Sequence, residues 1–432
     1  MKKIKFIHCA DLHLDTPFSS IGTSSLGTLN NKNDKSSIRR HDIRVVFDEI
    51  IRLAAKEQVD FLFITGDLYE HNYVTKSTIN FLNESFKKIN KTNVIIIPGN
   101  HDPWVKGSYY KSYNWAENVY ILTEDKLMNE KTYLNESYPD FKKQNTLLMF
   151  KEQNTCIYGQ AYLDMYMLYR RFGHYSTESV SNDQINVDLP YMEIKNDKIN
   201  ILLLHGSVGF NFDKNSYNPI SDEILASLNM DYIGIGHFHN RIDKVAGLNN
   251  VYNPGSPEPL GFDEPGEHGF YSGSITIDEH GKKKLEIEFI PANRKEYLEL
   301  EVNITGCITD EEIIERIKEK ISNINIKKEI YSNLLVNISL TGYISPDFSA
   351  DIKYVSSYFD DVFFFVKIKD KTIPDYDFDE IKKELGLKGL FVKKILNLID
   401  ETEDSVEKEL LLKSLYYGME ALEKGQVDIS DY

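Results

Sequence analysis

The sequence predicts an α/β fold in which two sheets pack together with helices outside. Two observations carry the prediction. A short apolar, β-branched run ending in a small residue and a cluster of His, Asp or Asn recurs five times in the first two-thirds of the chain, and the segments between the first of these runs carry apolar residues at helical spacing. Ligands in α/β sheets collect beyond the carboxyl ends of strands, so the same pattern also locates a site. At 432 residues the chain exceeds one ordinary core, which predicts two or three domains.

The five runs are KIKFIHCA before Asp11-Leu12-His13, FLFIT before Gly66-Asp67, VIIIP before Gly99-Asn100-His101-Asp102, ILLL before His205-Gly206, and YIGIG before His237-Phe238-His239. Each reads as a buried strand bounded by turn formers. Between the first two, Ile43, Val46, Phe47, Ile50, Ile51, Ala54 and Ala55 predict an amphipathic helix, and residues 77–89 a weaker one, giving the order β-α-β-α-β. The stretch 251–277 breaks at Asn253-Pro254-Gly255-Ser256-Pro257 and at Gly261, which predicts a second sheet with tight turns. Beyond Pro291 the His and Asp clusters stop. Residues 297–304 alternate like a strand, 310–321 have helical spacing, and 334–340 and 362–368 read as strands, a βαββ order. From Phe378 onward Ile381, Leu385, Leu390, Phe391, Ile395, Leu396, Leu411, Leu412, Leu415 and Met419 predict two or three amphipathic helices, split by Gly386, Gly389 and the acidic run 401–404. The expected domains are 1–290, 291–372 and 373–432.

Hydrophobic residues at 41% and aromatics at 12% describe an ordered globular chain. Against 67 acidic residues there are only 50 lysines and arginines, a formal charge of −17 that repels a polyanion at long range. Any nucleic-acid contact must then be local, where divalent cations can reverse the sign of the field. The amino-terminal lysines precede an apolar stretch that His8 and Asp11 interrupt, and no run reaches membrane-spanning length, so a cytoplasmic protein without membrane contact is expected. Cys9, Cys156 and Cys307 have no paired spacing, which leaves nitrogen and oxygen donors for any metal.

Those donors are the residues of the five clusters. An Asp-x-His at a strand end puts a carboxylate and an imidazole on the same side of the chain, because side chains two apart in extended backbone point alike, and His237-x-His239 repeats the geometry. A carboxylate such as Asp67 can bridge two ions, and a glycine before Asn100 and His101 lets the chain turn side chains into a cramped site. Any one such motif is weak. Together they take five of the eleven histidines, all at strand ends, which chance and ordinary packing do not predict.

The ordered set Asp11-x-His13, Gly66-Asp67, Gly99-Asn100-His101-Asp102, His205 and Gly236-His237-x-His239 resembles the calcineurin-like metallophosphoesterase superfamily, and within it the SbcD-like DNA-repair exonucleases. Ala10-Asp11-Leu12-His13-Leu14-Asp15 with Asn253-Pro254-Gly255-Ser256 is similar to the YhaO-type branch of that group. The resemblance covers residues 1–277. It implies a four-layer α/β/β/α sandwich of two mixed sheets, followed by a small α+β capping domain and C-terminal helices. It also implies that Asp11, His13 and His239 hold one divalent metal ion, that Asn100, His205 and His237 hold the other, and that Asp67 bridges them. His101 would protonate the leaving oxygen, with Asp102 either supporting it or serving as a turn residue. The implied chemistry is hydrolysis of a phosphodiester by a hydroxide that the two ions activate. Manganese is favoured by the resemblance, and iron and zinc also suit the donor set.

The implied substrate is DNA and the implied partner an SMC-like, SbcC-type ATPase docked on the C-terminal helices, with a homodimer as a further assembly to test. Two rival readings keep parts of this picture: hydrolysis of a small nucleotide or other phosphate ester, and a catalytically silent partner subunit. The intact ligand set argues against the last. Trp104, Tyr109, Tyr110, Tyr113 and Trp115, with Lys106 and Lys111 among them, suit either base stacking or loop packing, packing being the default. The same holds for 162–171 with Arg170-Arg171, while Arg39, Arg40 and Arg44 read as phosphate contacts or, by default, a solvated helix face. His8 reads as core packing.

Overall fold

The computed structural model describes residues 2–21, 34–122, 147–160, 196–208, 222–324 and 326–425. They form two compact units, 1–297 and 298–432.

In the first unit β1 (Lys2–Cys9), β2 (Phe61–Thr65), β3 (Asn93–Ile97) and β4 (Val119–Ile121) run parallel in that order. Parallel neighbours need a crossover, and α1 (Lys35–Glu57) and α2 (Lys76–Lys88) supply the first two. Asp34 caps α1 by accepting from the Ser36 amide. The apolar stripe Ile43, Val46, Phe47, Ile50, Ile51 and Ala54 is buried, and the Phe47 ring lies 5.8 Å from the rings of both Phe81 and Phe86 on α2. A four-residue helix, α3 (Tyr109–Ser112), precedes β4.

The second sheet holds β5 (Leu147–Phe150), β6 (Thr155–Gln160), β7 (Ile199–His205), β8 (Tyr232–Gly236) and β9 (Val251–Tyr252), parallel except for β5. α4 (Asp222–Ser227) precedes β8. The strict alternation of a strand sorts the core. Ile201 and Leu203 of β7 face Phe6, Phe61, Phe63 and Ile95 of the first sheet, whereas Leu202 and Leu204 pack with Leu225 of α4 on the outer face. The order of layers is therefore helix, sheet, sheet, helix.

The stretch 251–277 does not form a second sheet by itself. Only β9 joins the second sheet; β10 (Gly269–Ile277) crosses to the first and pairs antiparallel with β1, and β11 (Lys283–Pro291) pairs with β10 at the edge. This makes the first sheet mixed, as antiparallel β5 makes the second. Ile275 and Ile277 belong to the core between the sheets, which rewards pairing with β1 at long range.

In the second unit β12 (Glu296–Asn303), α5 (Asp310–Ser322), β13 (Leu334–Thr341), α6 (Ile352–Phe359) and β15 (Phe365–Asp370) build a three-stranded sheet of order β12-β13-β15, and β14 (Tyr343–Ile344) pairs with β16 (Ile373–Pro374). The sequence reading of βαββ lacks α6. Because β13 and β15 run parallel, a crossover must lie between them, and Ile352, Val355 and Phe359 supply its apolar face behind an Asp351 cap. The chain ends in α7 (Phe378–Ile381), α8 (Leu387–Glu401) and α9 (Ser405–Lys424), with Gly389 inside α8. They share a small core of Ile381, Val392, Leu415 and Met419. No helix among the described residues is long and apolar enough to cross a membrane.

Candidate metal centre

The five clusters follow β1, β2, β3, β7 and β8 at the carboxyl ends of parallel strands, as an α/β sheet requires of a binding site. The backbone there is not extended. Asp11, His13, Asp67 and His237 have φ of 50°, 46°, 51° and 107°, a left-handed region that costs non-glycine residues free energy and is held only by surrounding contacts. Asp11 and His13 thus converge through a left-handed turn, and strand alternation plays no part. The contacts that hold it are cross-loop bonds: the amides of Asp11 and His13 donate to the carbonyls of Gly66 (3.1 Å) and Asp67 (2.9 Å), and the His101 amide donates to Asp67 Oδ1 at 2.7 Å. Across the two sheets the His237 amide donates to Asp11 Oδ2 at 3.0 Å. Two glycines permit this crowding. A Cβ on Gly66 would lie 2.0 Å from His205 Nδ1, and one on Gly99 would lie 2.2 Å from Asp67 Oδ1.

All seven residues expected as ligands meet here. Asp11, His13, Asp67 and His205 are buried, and the ligand atoms of Asp11, His13 and His239, and of Asp11, Asp67 and His205, lie within 4.8 Å of one another. Asp67 Oδ2 stands 3.6 Å from His13 Nε2 and 3.5 Å from His205 Nε2. Asn100 Oδ1 is 2.9 Å from His205 Nε2 and 3.3 Å from His237 Nδ1. One carboxylate thus lies between two groups of donors.

Whether these groups fit metal ions can be judged from the ring nitrogens. His13 Nδ1 is 2.7 Å from Glu70 Oε1 and His239 Nδ1 is 2.7 Å from Glu264 Oε1, so each imidazole commits its N–H to a carboxylate. Their Nε2 atoms then face each other at 3.1 Å with lone pairs toward one space. That arrangement suits a shared cation bound at about 2.0–2.2 Å, the usual metal–imidazole distance. His205 Nδ1 likewise meets the Thr65 carbonyl at 2.8 Å, which turns its Nε2 inward. The donors fit hard or intermediate divalent ions.

The carboxylates give the pocket a negative field. Burial resists the charge on His239, yet its bond to Glu264 and the field of Asp11 raise its pKa to about 9. His205 is also raised to about 9, with burial opposed by Asp67. Burial and then the neighbouring His205 lower His237 to about 4. Asp67 is held far below the usual carboxylate range by His205 despite its burial, while burial raises Asp11.

Several expectations change. Asp102 does not support His101: its buried carboxylate accepts from the amides of Gly99 (2.6 Å), Leu68 (2.7 Å) and Asp67 (3.1 Å) and from the Tyr110 hydroxyl (2.6 Å), tying the second and third loops together. The partner of His101 is Glu70, whose Oε2 lies 3.0 Å from His101 Nδ1. Glu70 and Glu264 were not singled out in the sequence. Glu70 sits three residues after Asp67, a signal that could have been used; Glu264 has none, since it reaches His239 only through the fold. Arg39 is neither a phosphate contact nor a solvated residue but is fully buried, paired with Glu258 and bonded to the Pro259 carbonyl. Arg40 bonds the Pro17 carbonyl and Arg44 bonds Asp15. The aromatic group after the third cluster packs: Tyr110 is buried against Tyr69 and Trp115, and Lys111 lies over the Trp104 ring. His8 is a core residue bonded to Tyr232 and Thr65. Residues 162–171 lie outside the described residues.

Comparison with known proteins agrees with the geometry. The family described as calcineurin-like phosphoesterase matches residues 4–241. The uncharacterized metallophosphoesterase YhaO of Bacillus subtilis is 27% identical over 278 residues, which are 63% of this chain and 58%, less than two thirds, of that protein. The D subunit of nuclease SbcCD from Staphylococcus epidermidis is 27% identical over 74% of this chain and 77% of its own length. Its namesake from Staphylococcus saprophyticus is 24% identical over 88% and 94%.

Proposed function

The chain belongs to the calcineurin-like phosphoesterase family, a family of metal-dependent hydrolases, and on that premise we propose that it is a nuclease cutting phosphodiester bonds in DNA. The observation that carries the reading is the gathering of seven nitrogen- and oxygen-donor residues at the strand ends, with Asp67 between His13 and His205. Asp11, His13 and His239 are assigned to one ion, Asn100, His205 and His237 to the other, and Asp67 to both, with manganese as the expected metal. Two bound ions would supply the positive charge that lowers the pKa of an attacking water and offsets charge on the phosphate.

The protein's own part is to orient and to move a proton. His101 is the exposed member of the site, its ring 4.7 Å from that of His13, and Glu70 engages Nδ1, which leaves Nε2 as the nitrogen to meet a substrate. The same bond raises the His101 pKa, which suits the ring to donate a proton to the departing oxygen. Asp102 acts one step removed, by fixing the loops that carry Asp67 and His101.

DNA as the substrate is supported by the two staphylococcal relatives named as parts of the SbcCD nuclease, with which the matches extend beyond the residues of the family match. The same relatives support an SMC-like ATPase as the partner, and residues 373–432 as its docking segment, because Leu387, Leu390, Leu398, Val406 and Leu410 there are exposed. Residues 291–372 are assigned as a capping domain. The charge of −17 favours a second reading, hydrolysis of a small phosphate ester.

The test uses purified protein with manganese or chelator on end-labelled single- and double-stranded DNA, beside bis-p-nitrophenyl phosphate. Metal-dependent DNA cleavage that is lost in Asp67→Ala and His101→Ala supports the nuclease. Hydrolysis of the small diester with intact DNA, even after an ATPase partner is added, supports the second reading.

A further inference from the structure

His239 sits beyond the end of β8 in a turn that belongs to no strand or helix, with a side chain 28% exposed. A ligand so placed keeps its geometry only if neighbouring groups hold it. The stretch Asn253-Pro254-Gly255-Ser256, a tight turn, wraps that backbone. Three successive carbonyls accept from it: the Asn253 side-chain amide donates to Phe238 at 2.7 Å and to Asn240 at 3.0 Å, and the Ser256 backbone amide donates to His239 at 2.9 Å. Gly255, at φ 74°, permits the approach, since a Cβ there would stand 2.3 Å from the His239 carbonyl oxygen. The same stretch reaches the ring. The Ser256 hydroxyl donates to Glu264 Oε2 at 2.8 Å, and Glu264 Oε1 stands 2.7 Å from His239 Nδ1. The Leu260 amide adds a bond to Glu264 Oε2 at 2.9 Å, and His268 Nδ1 lies 2.7 Å from the Ser256 carbonyl. Asn253, Ser256, Glu264 and His268 are all buried, so water does not compete for these bonds. The middle of the loop is anchored as well, because Glu258 pairs with Arg39 and accepts from the Lys295 amide at 3.2 Å.

We infer that Asn253 and Ser256 are positioning residues of the metal centre. Asn253 and the Ser256 amide fix the backbone of residues 238–240, and the Ser256 hydroxyl fixes the carboxylate of Glu264, which in turn sets the plane of the His239 ring. The other neighbours of that hydroxyl, His268 Nδ1 at 3.1 Å and the His239 carbonyl at 3.4 Å, are longer contacts, so its action on the ring runs through the glutamate. Groups behind a metal-bound imidazole contribute about 10- to 100-fold to metal affinity, because they settle the tautomer and the direction of the lone pair before the ion arrives. The inference rests on the assignment of His239 as a ligand, proposed above, and not on the nature of the substrate.

Chelator-stripped full-length protein titrated with Mn2+, with the free ion read by electron paramagnetic resonance, measures metal affinity without reference to any substrate. Ser256→Ala keeps the backbone bond to His239 and removes the hydroxyl; its Mn2+ affinity is expected to fall about tenfold. Asn253→Ala frees the Phe238 and Asn240 carbonyls and is expected to weaken binding to a similar degree. Glu264→Ala is expected to lose about 10- to 100-fold. Because the serine acts on the ring through the glutamate, Ser256→Ala added to Glu264→Ala should weaken binding no further, a non-additivity that a general loss of stability does not produce. Ile50→Ala, in the buried stripe of α1, is the control: it lowers the melting temperature and should leave Mn2+ affinity unchanged. Thermal melts of the stripped proteins check folding, and Ser256→Cys and Glu264→Gln stand in for an alanine variant that does not fold. Unchanged Mn2+ affinity in folded Ser256→Ala or Asn253→Ala, losses that add in the double variant, or an equal loss in Ile50→Ala would each overturn the inference. Failure of the unmodified protein to bind Mn2+ would overturn it together with the ligand assignment. Weakened binding in both variants of a protein that leaves DNA intact would support it and sink only the nuclease reading.

Discussion

In residues 1–297 the unusual side chains are polar and buried; in residues 298–432 they are apolar and exposed. The first unit encloses Arg39, Glu258, Asp102, Glu264 and His8 along with Asp11, His13, Asp67 and His205, and each is bonded to a named partner. The second encloses almost purely apolar cores and leaves Leu385, Leu387, Leu390 and Leu410 more than 60% exposed. Buried polar groups are costly unless satisfied, so they mark places where the fold has been committed to geometry. Exposed leucines leave apolar area in water that nothing among the described residues covers. The contrast separates the proposed metal centre from the proposed docking segment.

The contrast is open to test, beginning where the effect is largest. Removing one member of the Arg39–Glu258 pair leaves a buried charge without its counter-ion, so Arg39→Met is expected to lower stability by about 3–5 kcal/mol, and Glu258→Gln added to it to restore much of the loss. Urea unfolding measures both; a single-variant cost under about 1 kcal/mol would mean the pair is not part of the committed core. Next comes Asp102→Ala, which strands three loop amides and is expected to cost about 3 kcal/mol. His101→Ala, at the exposed rim, should change stability by no more than about 0.5 kcal/mol while abolishing hydrolysis. Equal destabilisation by the two would erase the distinction between the holding and the reacting residue.

A smaller effect is the pH dependence that His8 imposes. Burial lowers its pKa from 6.5 to about 3, so the native state keeps it neutral where the unfolded chain takes up a proton. Stability from this group is present above pH 6.5 and declines as pH falls toward 3, by up to about 1.4 kcal/mol per pH unit. Thermal melts of the chelated protein between pH 5 and 7, with and without His8→Gln, should show a shallower decline in the variant. The smallest effect is expected at the opposite end of the chain. Leu390→Ser and Leu410→Ser should change stability by about 0.5 kcal/mol or less, because neither leucine belongs to the small helical core. A loss above about 1 kcal/mol would show that these leucines are covered after all and would remove the basis for a docking surface.

Much of the site was legible because its signals are local. Asp11, His13, Asp67, Asn100, His205, His237 and His239 each sit within a few residues of the strand that carries them, and a strand followed by a turn and a donor can be read in one window of sequence. The backbone that delivers them was read wrongly. Asp11 and His13 converge through left-handed φ values that their residue types disfavour, a conformation imposed by the hydrogen bonds their amides donate to the carbonyls of Gly66 and Asp67, distant in sequence. The helix α6 was missed because Ile352, Val355 and Phe359 are a short pattern, and only the parallel pairing of β13 with β15 demands it.

The sequence by itself determined the five strands that carry the donors, the donor types and their positions at strand ends, since hydrophobic periodicity and turn chemistry act over a few residues. Only the tertiary structure decided that β10 returns to β1, that Arg39 is buried against Glu258, that Glu70 rather than Asp102 serves His101, and that Glu264 stands behind His239. The physical reason is the same in each case. These partners lie between 25 and 275 residues apart or compete with a nearer candidate, and which one wins is settled by the burial that two packed sheets impose, not by any preference a short stretch of chain can express.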